Sequence, residues 1–252
     1  MVRIELSEAP SRESLEAGLR GLKDLRSASL LMIIAFILLT LALGILVFTV
    51  LASFSAFFPS TVSPGMGMEP DTHMPRPEEI FETLPPLILS MLALSVVLVI
   101  TSLVVVAIAV FGKLLPGASK LSMYRPGFST SATLIKVGFL GGLILFIIGL
   151  ATLFIGIGVF LAIVAIILFL IGTIGLAILS LKLGSEFNEL TFTIAGVLFI
   201  VSLILYILPR TSVVASILTV VAWILLYVGL GPAIEELGKK LQQALGQGAQ
   251  LI

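Results

Sequence analysis

The chain has few of the residues on which soluble proteins depend. Of its 252 residues, none is cysteine, one is histidine and only 11% are charged, whereas 59% are hydrophobic. Soluble domains carry about 25% charged residues, so this chain has too little charge to cover a soluble surface of its size. A soluble enzyme, a disulfide-stapled secreted protein and a disordered chain are therefore excluded.

Catalytic motifs are absent as well. With one histidine and no cysteine, neither a Cys–His pair nor a Ser–His–Asp triad within a fold is credible, and no Walker loop, HExxH or CxxC occurs. The nearest polar cluster is Lys182, Glu186, Asn188 and Glu189, which we interpret as a solvated loop. The 14 basic and 14 acidic residues cancel, which indicates no nucleic-acid partner. We expect a protein that is not an enzyme and has no cofactor.

Long charge-free stretches dominate the sequence. A helix needs roughly 20 apolar residues to cross a bilayer core, and five stretches reach that length. The longest, Val137–Leu181, would span about 67 Å as one helix, so we expect it to fold back near Gly156. The sequence therefore predicts an all-α, polytopic membrane protein. Its six transmembrane helices are predicted at about residues 29–55, 87–111, 135–154, 158–181, 190–208 and 212–231.

The basic residues are distributed unevenly along this topology. With six crossings, the N-terminal segment, the second and fourth loops and the C-terminal tail share one side, which carries 12 of the 14 lysines and arginines. The other side keeps only Arg76 and Arg210. Because positively charged loops stay in the cytoplasm, we expect both termini to be cytoplasmic.

Two amphipathic segments flank the transmembrane domain, residues 27–231. The N-terminal segment, residues 1–26, and the tail, residues 232–252, each have leucine or isoleucine at helical spacing. These apolar positions are Leu15, Leu19 and Leu22 in the first and Ile234, Leu237 and Leu241 in the second. We interpret both as surface helices, and the first as an interfacial helix in contact with anionic lipid headgroups. The alternative for the first is a docking helix for a cytoplasmic partner.

The predicted outer loop, residues 59–86, contains seven of the 12 prolines. Within it a nine-residue window gathers possible metal ligands: Met66, Met68, Glu69, Asp71, His73 and Met74. Thioether and imidazole groups together are soft donors that suit copper. Copper handling is therefore one hypothesis, and the alternative is an unconstrained loop in which methionine fills space.

No ionisable residue lies in the middle of a predicted span, which argues against a proton-coupled pump. Hydroxyl groups are present there, and they allow a pathway for a neutral solute. Membrane helices commonly bond such hydroxyls to their own backbone or to a neighbouring helix, and we expect that use here. The hydroxyl-bearing residues are Thr101, Ser102, Thr152, Thr173, Ser202, Tyr206 and Thr219.

Glycines recur along the third and fourth predicted helices. The positions are Gly138, Gly142, Gly149 and Gly156, followed by Gly172 and Gly175. A stripe of small residues lets two membrane helices approach closely. We predict that these glycines form the contact between helices three and four, with a homodimer seam as the alternative.

Four short motifs resemble a known family. They are Gly21-Leu-Lys-Asp-Leu-Arg26, Tyr124-Arg-Pro-Gly127, Lys182-Leu-Gly-Ser-Glu-Phe-Asn188 and Tyr227-Val-Gly-Leu-Gly231. Together they are similar to an uncharacterised archaeal multi-pass membrane family, domain of unknown function 973. The resemblance implies a plasma-membrane location in an archaeon and implies no activity.

These observations predict a non-enzymatic integral membrane protein, an accessory or scaffold protein that presents its basic inner face to partners. The alternative is a small channel or facilitator for a neutral solute, and copper handling by the outer loop is a weaker one. The predicted partner is the lipid bilayer, with a homo-oligomer through the glycine seam as a further possibility.

Overall fold

The computed structural model describes residues 11–57, 86–152, 156–208 and 211–249. Within these ranges the chain is helical and contains no strand. The α-helices are α1 (Arg12–Phe57), α2 (Pro86–Ala107), α3 (Leu115–Tyr124), α4 (Ser129–Ile135), α5 (Gly141–Ala151), α6 (Ile157–Phe187), α7 (Leu190–Ile207) and α8 (Ser212–Ala249). Two π-helical segments join neighbours without a break, Ile108–Leu114 between α2 and α3 and Lys136–Leu140 between α4 and α5.

Six helical stretches in the described part of the chain are long and apolar enough to cross a membrane. They are Arg12–Ser53, Ile88–Tyr124, Pro126–Gly149, Ile157–Phe187, Leu190–Ile207 and Ser212–Gly246. The prediction of an all-α chain with six membrane-length helices is confirmed. The predicted outer loop, residues 59–86, lies outside the described residues except for Pro86, which begins α2.

The inner loop expected between the second and third helices is itself helical. The second helix runs on to Tyr124 rather than ending near residue 111, and the third begins at Pro126 rather than near residue 135. Pro116 is tolerated because it lies in the first turn of α3. The break falls at Arg125, whose backbone is extended, because a residue that precedes proline is disfavoured in the helical conformation.

Glycine and asparagine define the two ends of α6. Gly156 precedes it with a φ of 81°, a left-handed conformation that favours glycine, and lies where the sequence predicted the chain to fold back. Asn188 follows it with a φ of 53°, the left-handed residue on which helices often end. The helix therefore extends to Phe187, beyond the predicted end at residue 181.

The two amphipathic segments continue the adjoining membrane helices. In α1 the helix runs from Arg12 through the predicted border at residue 26 without interruption. In α8 it continues through Pro232 to Ala249, even though proline lacks the N–H that would bond to the preceding turn. Leu15, Leu22 and Leu237 are buried, so both apolar stripes pack against protein.

The chain divides into two compact units. Unit 1 comprises Met1–Ile33 and Val105–Ile252, and unit 2 comprises Ile34–Val104. All charged residues that the structure describes belong to unit 1. Its core includes Trp223, the only tryptophan, which is 2% exposed and packs edge-on against Phe199 at a ring distance of 5.3 Å.

Glycines bring the backbone of α6 into direct contact with α5 and with the helical segments that precede α5. A Cβ atom built on Gly138 would lie 2.2 Å from the backbone nitrogen of Gly172, and one on Gly175 would lie 2.8 Å from that of Ile135. Gly142 and Gly149 likewise lie against the backbone of α6. The predicted glycine contact is present within the chain, whereas Gly156 serves the turn and contacts nothing on its Cβ side.

Candidate functional site

The seven hydroxyl groups that the sequence singled out in the apolar helices are engaged in hydrogen bonds, whereas the buried hydroxyl of Thr191 on α7 has no partner in the described part of the chain. Thr101 and Thr173 each donate to the carbonyl four residues earlier, at 2.8 and 2.9 Å. Ser102 donates instead to the carbonyl of Ala35 on the neighbouring helix of unit 2, at 2.9 Å. Thr152, Ser202 and Thr219 each donate to a carbonyl three or four residues earlier, and the hydroxyl of Tyr206 bonds to that of Ser216. These groups stabilise helices, which is the use that the sequence led us to expect.

Charged residues of unit 1 meet where the charge-free stretches of the helices end. Asp24 of α1 accepts hydrogen bonds from Lys113, at 3.3 Å, and from Lys120. The Asp24 side chain is 17% exposed, so the two lysines neutralise a largely buried carboxylate. Gly21 and Gly117 lie one turn away, and a Cβ on Gly21 would be 3.0 Å from the carbonyl oxygen of Gly117. Their small size lets α1 approach α3 closely enough for these ion pairs.

A second ion pair joins the break at Arg125 to α6. The Glu186 carboxylate, 12% exposed, accepts from the Arg125 guanidinium at 2.7 Å and from the Tyr124 hydroxyl at 3.2 Å. Lys182, one turn earlier on α6, donates to the carbonyl of Gly127. We call Asp24, Lys113, Lys120, Arg125 and Glu186 the ion-pair network, and the helix ends that carry it the charged end.

A cavity of about 410 Å³ lies beside the network, between α1 and α8. Its lining comprises Lys23, Arg26, Ser27, Leu30, Tyr227 and Ile234. The Arg26 guanidinium stacks over the Tyr227 ring, 4.9 Å from its centroid. The Nε atom of Arg26 is buried and has no hydrogen-bond partner, an arrangement that costs about 1–3 kcal/mol when nothing compensates it.

The sequence interpretation of Lys182, Glu186, Asn188 and Glu189 as a solvated loop is wrong for the first two. Both lie on α6 and bond to the segment around Arg125. The loop is reduced to the residues after Phe187, because Lys182 and Glu186 sit one turn apart on a helix that continues beyond the membrane-length apolar stretch. Sequence reasoning missed the partners of Glu186 because they lie about 60 residues away.

The four motifs that carried the family resemblance converge on the charged end. The first supplies Lys23, Asp24 and Arg26, and the last supplies Tyr227. The middle two supply both members of the pair Arg125–Glu186. The motifs themselves were therefore a signal in the sequence that pointed to the site.

Within the described ranges no group of three or more His, Cys, Asp or Glu residues could hold a metal ion. The residues of the copper hypothesis, Met66, Met68, Glu69, Asp71, His73 and Met74, all lie outside those ranges. Copper handling by the outer loop therefore stays a hypothesis from the sequence.

The helices and the charged end define a multi-pass helical membrane protein with its described charges gathered in one unit. Residues 18–250 match the family model described as a protein of unknown function, DUF973, and the chain belongs to that family. No curated protein and no solved structure matches the chain.

Proposed function

We propose that this protein is a non-enzymatic accessory or scaffold protein of an archaeal plasma membrane, which presents its charged end to a cytoplasmic partner. The observation that carries the proposal is the ion-pair network. It links α1, α3 and α6 through side chains that are far apart in sequence, and so fixes the helix ends in a defined arrangement. A fixed arrangement of charges favours recognition because little side-chain freedom is lost on binding.

The charge available for a partner lies on exposed side chains of α1 and α8. Arg12 and Arg20 are 65% and 71% exposed, and Lys240 is 45% exposed. Lys23 and Lys239 are exposed too. An acidic protein surface would complement these groups and would be drawn to them electrostatically.

The alternative, a facilitator for a neutral solute, has less support. Such a pathway needs polar groups that face a cavity at the depth of the membrane. Six of the seven hydroxyls named for it bond to backbone carbonyls, and Tyr206 bonds to the hydroxyl of Ser216. The buried hydroxyl of Thr191 has no partner among the described residues, and it lines neither the cavity between α1 and α8 nor the one within unit 2. The cavity within unit 2, about 370 Å³, has Thr40 as its one hydroxyl-bearing residue, and that hydroxyl donates to the carbonyl of Phe36.

We also propose that the protein forms a homo-oligomer. The lipid bilayer is the other partner that we propose. The glycines of α5 and α6 are already covered within one chain, so an oligomer would use another apolar face. Exposed side chains that could form one include Phe160 and Val213, which are 65% and 69% exposed. The mass of the detergent-solubilised protein would measure the oligomer directly.

The scaffold proposal is tested with photo-crosslinking residues placed singly at Arg20, Lys239 or Phe160 in the native membrane. We expect one protein partner of constant mass to be crosslinked from Arg20 and Lys239. Phe160, which is 65% exposed on the apolar surface of α6, is the control and should yield no such product. In parallel, vesicles containing the purified protein should take up neutral solutes no faster than protein-free vesicles. The same crosslinked product from Phe160 as from Arg20 and Lys239, or a clear solute flux, would contradict the proposal.

A further inference from the structure

The cavity between α1 and α8 has a charge that the described residues do not balance. It contains the cationic groups of Lys23 and Arg26, and in the part of the chain that the structure describes no carboxylate oxygen lies within 4.0 Å of either. Asp24, their neighbour in sequence, is already bonded to Lys113 and Lys120. The cavity therefore combines two cations with space for an anion.

The state of Arg26 points to a missing acceptor. Its guanidinium is held over Tyr227 and its Nε atom is buried without a partner. Buried polar groups are nearly always paired, so an unpaired donor on a side chain that lines a cavity points to a ligand as its missing partner. Guanidinium groups match oxyanions such as phosphate with two parallel hydrogen bonds.

The size and surroundings of the cavity fit such a ligand. Its volume of about 410 Å³ is within the range of small-molecule sites, about 300–1,000 Å³. Arg26 is the last charged residue before the charge-free part of α1, and Tyr227 lies near the end of the charge-free part of α8. Lysine, arginine and tyrosine at that boundary are typical of contacts with lipid headgroups. Leu30 and Ile234 add apolar surface at the cavity for the start of an acyl chain.

We propose that Lys23, Arg26 and Tyr227 form a binding site for one phosphate-type oxyanion, either the phosphate of an anionic lipid headgroup or free inorganic phosphate. The site goes beyond the scaffold role and holds whether or not the charged end also binds a protein.

The lipid arm of the test uses native mass spectrometry of the full chain in detergent, titrated with phosphatidylglycerol and, for comparison, with zwitterionic phosphatidylcholine. We expect one phosphatidylglycerol to bind more tightly than any phosphatidylcholine. Arg26→Gln should weaken that first affinity about tenfold, and Lys23→Gln several-fold. Arg20→Gln is the matched control, because Arg20 is 71% exposed and pairs with Glu16, and it should leave the affinity within twofold.

The free-phosphate arm uses lipid-stripped protein and compares thermal unfolding in phosphate and in chloride of equal ionic strength. A saturable rise in Tm with phosphate, lost in Arg26→Gln, would identify inorganic phosphate as the ligand. Tight phosphatidylglycerol binding with no effect of phosphate would identify the lipid headgroup.

Two further measurements distinguish a specific binding site from two alternatives. One alternative is nonspecific attraction to a basic surface, and the other is an Arg26 that only stabilises the fold. Gly231→Leu keeps every charge but fills the space beside Arg26, because a Cβ there would lie 3.8 Å from a terminal guanidinium nitrogen. It should weaken the first affinity about tenfold, as Arg26→Gln does. Ligand-free Arg26→Gln loses the contact with Tyr227 but also removes a buried donor that has no described partner, so its Tm should stay close to that of the wild type. The proposal is overturned if Arg26→Gln, Gly231→Leu and Arg20→Gln behave alike in both arms.

Discussion

Replacing Gly138 with alanine is expected to destabilise the protein by about 3 kcal/mol or more, at the upper end of the cost of overpacking a core. The added methyl group would lie 2.2 and 2.3 Å from the backbone nitrogen and Cα atoms of Gly172. Since the obstacle is backbone, no side-chain rotation can relieve the clash, and α6 must move away. Its displacement would also disturb Gly175 and Ile135, which are packed in the same way one turn along.

Unfolding in a denaturing detergent, followed by the fluorescence of Trp223, measures this effect. Trp223 is the only tryptophan and is buried in unit 1, so its signal reports the unit that contains the substitution. Gly238→Ala is the matched control, because Gly238 lies in unit 1 on the helix that carries Trp223 and a Cβ there would contact nothing within 4 Å. That variant should be neutral or slightly stabilised, by up to about 1 kcal/mol. A Gly138→Ala protein as stable as the control would show that the helices are farther apart than described.

Replacing Glu186 with glutamine is expected to lower the free energy of unfolding by about 1.5–3 kcal/mol, the range for a hydrogen bond to a charged group. The substitution keeps the size of the side chain but removes the negative charge that faces Arg125 at 2.7 Å. The loss is large for an ion pair because Glu186 is only 12% exposed, so water screens the interaction weakly.

Glu16→Gln is the control for the Glu186 variant. Glu16 also pairs with arginine, at 3.3 and 3.6 Å, but it is 36% exposed and its partners are more exposed still. Exposed pairs contribute about 0–1 kcal/mol, so this variant should unfold close to the wild type. A double-mutant cycle of Glu186→Gln with Arg125→Gln should give a coupling energy of about 0.5 kcal/mol or more, and a coupling near zero would contradict the pair.

The number of helices could be predicted from the sequence, because an apolar stretch of a given length has few alternatives in a bilayer. The contact of Gly138 with Gly172 could be predicted for the same kind of reason, since small residues at helical spacing mark close approach. The residues at which the helices end could not be predicted in this way. The sequence predicts loops at Lys113, Lys120 and Lys182, whereas each lies on a helix that continues past the apolar stretch.

The charged end could be predicted only in outline. Counting basic residues by loop indicated that they share one side, and the pairs of Asp24 and Glu186 show that segments far apart in sequence meet there. Which acidic residue pairs with which basic residue depends on how the helices pack, and a single sequence does not contain that information. The sequence therefore predicts a solvated Glu186, although its side chain, which belongs to α6, is mostly buried against the segment around Arg125.

The charges that the structure describes in unit 1 are expected to face the cytoplasm, and cysteine accessibility tests this orientation most directly. The chain has no cysteine, so single cysteines at Met123, Ser185 and Thr72 can each be labelled with a membrane-impermeant maleimide. Met123 and Ser185 lie exposed at the charged end, and Thr72 lies in the predicted outer loop. In intact cells we expect only Thr72→Cys to react, and after lysis all three. Labelling of Met123→Cys or Ser185→Cys in intact cells would contradict the orientation and the scaffold role with it.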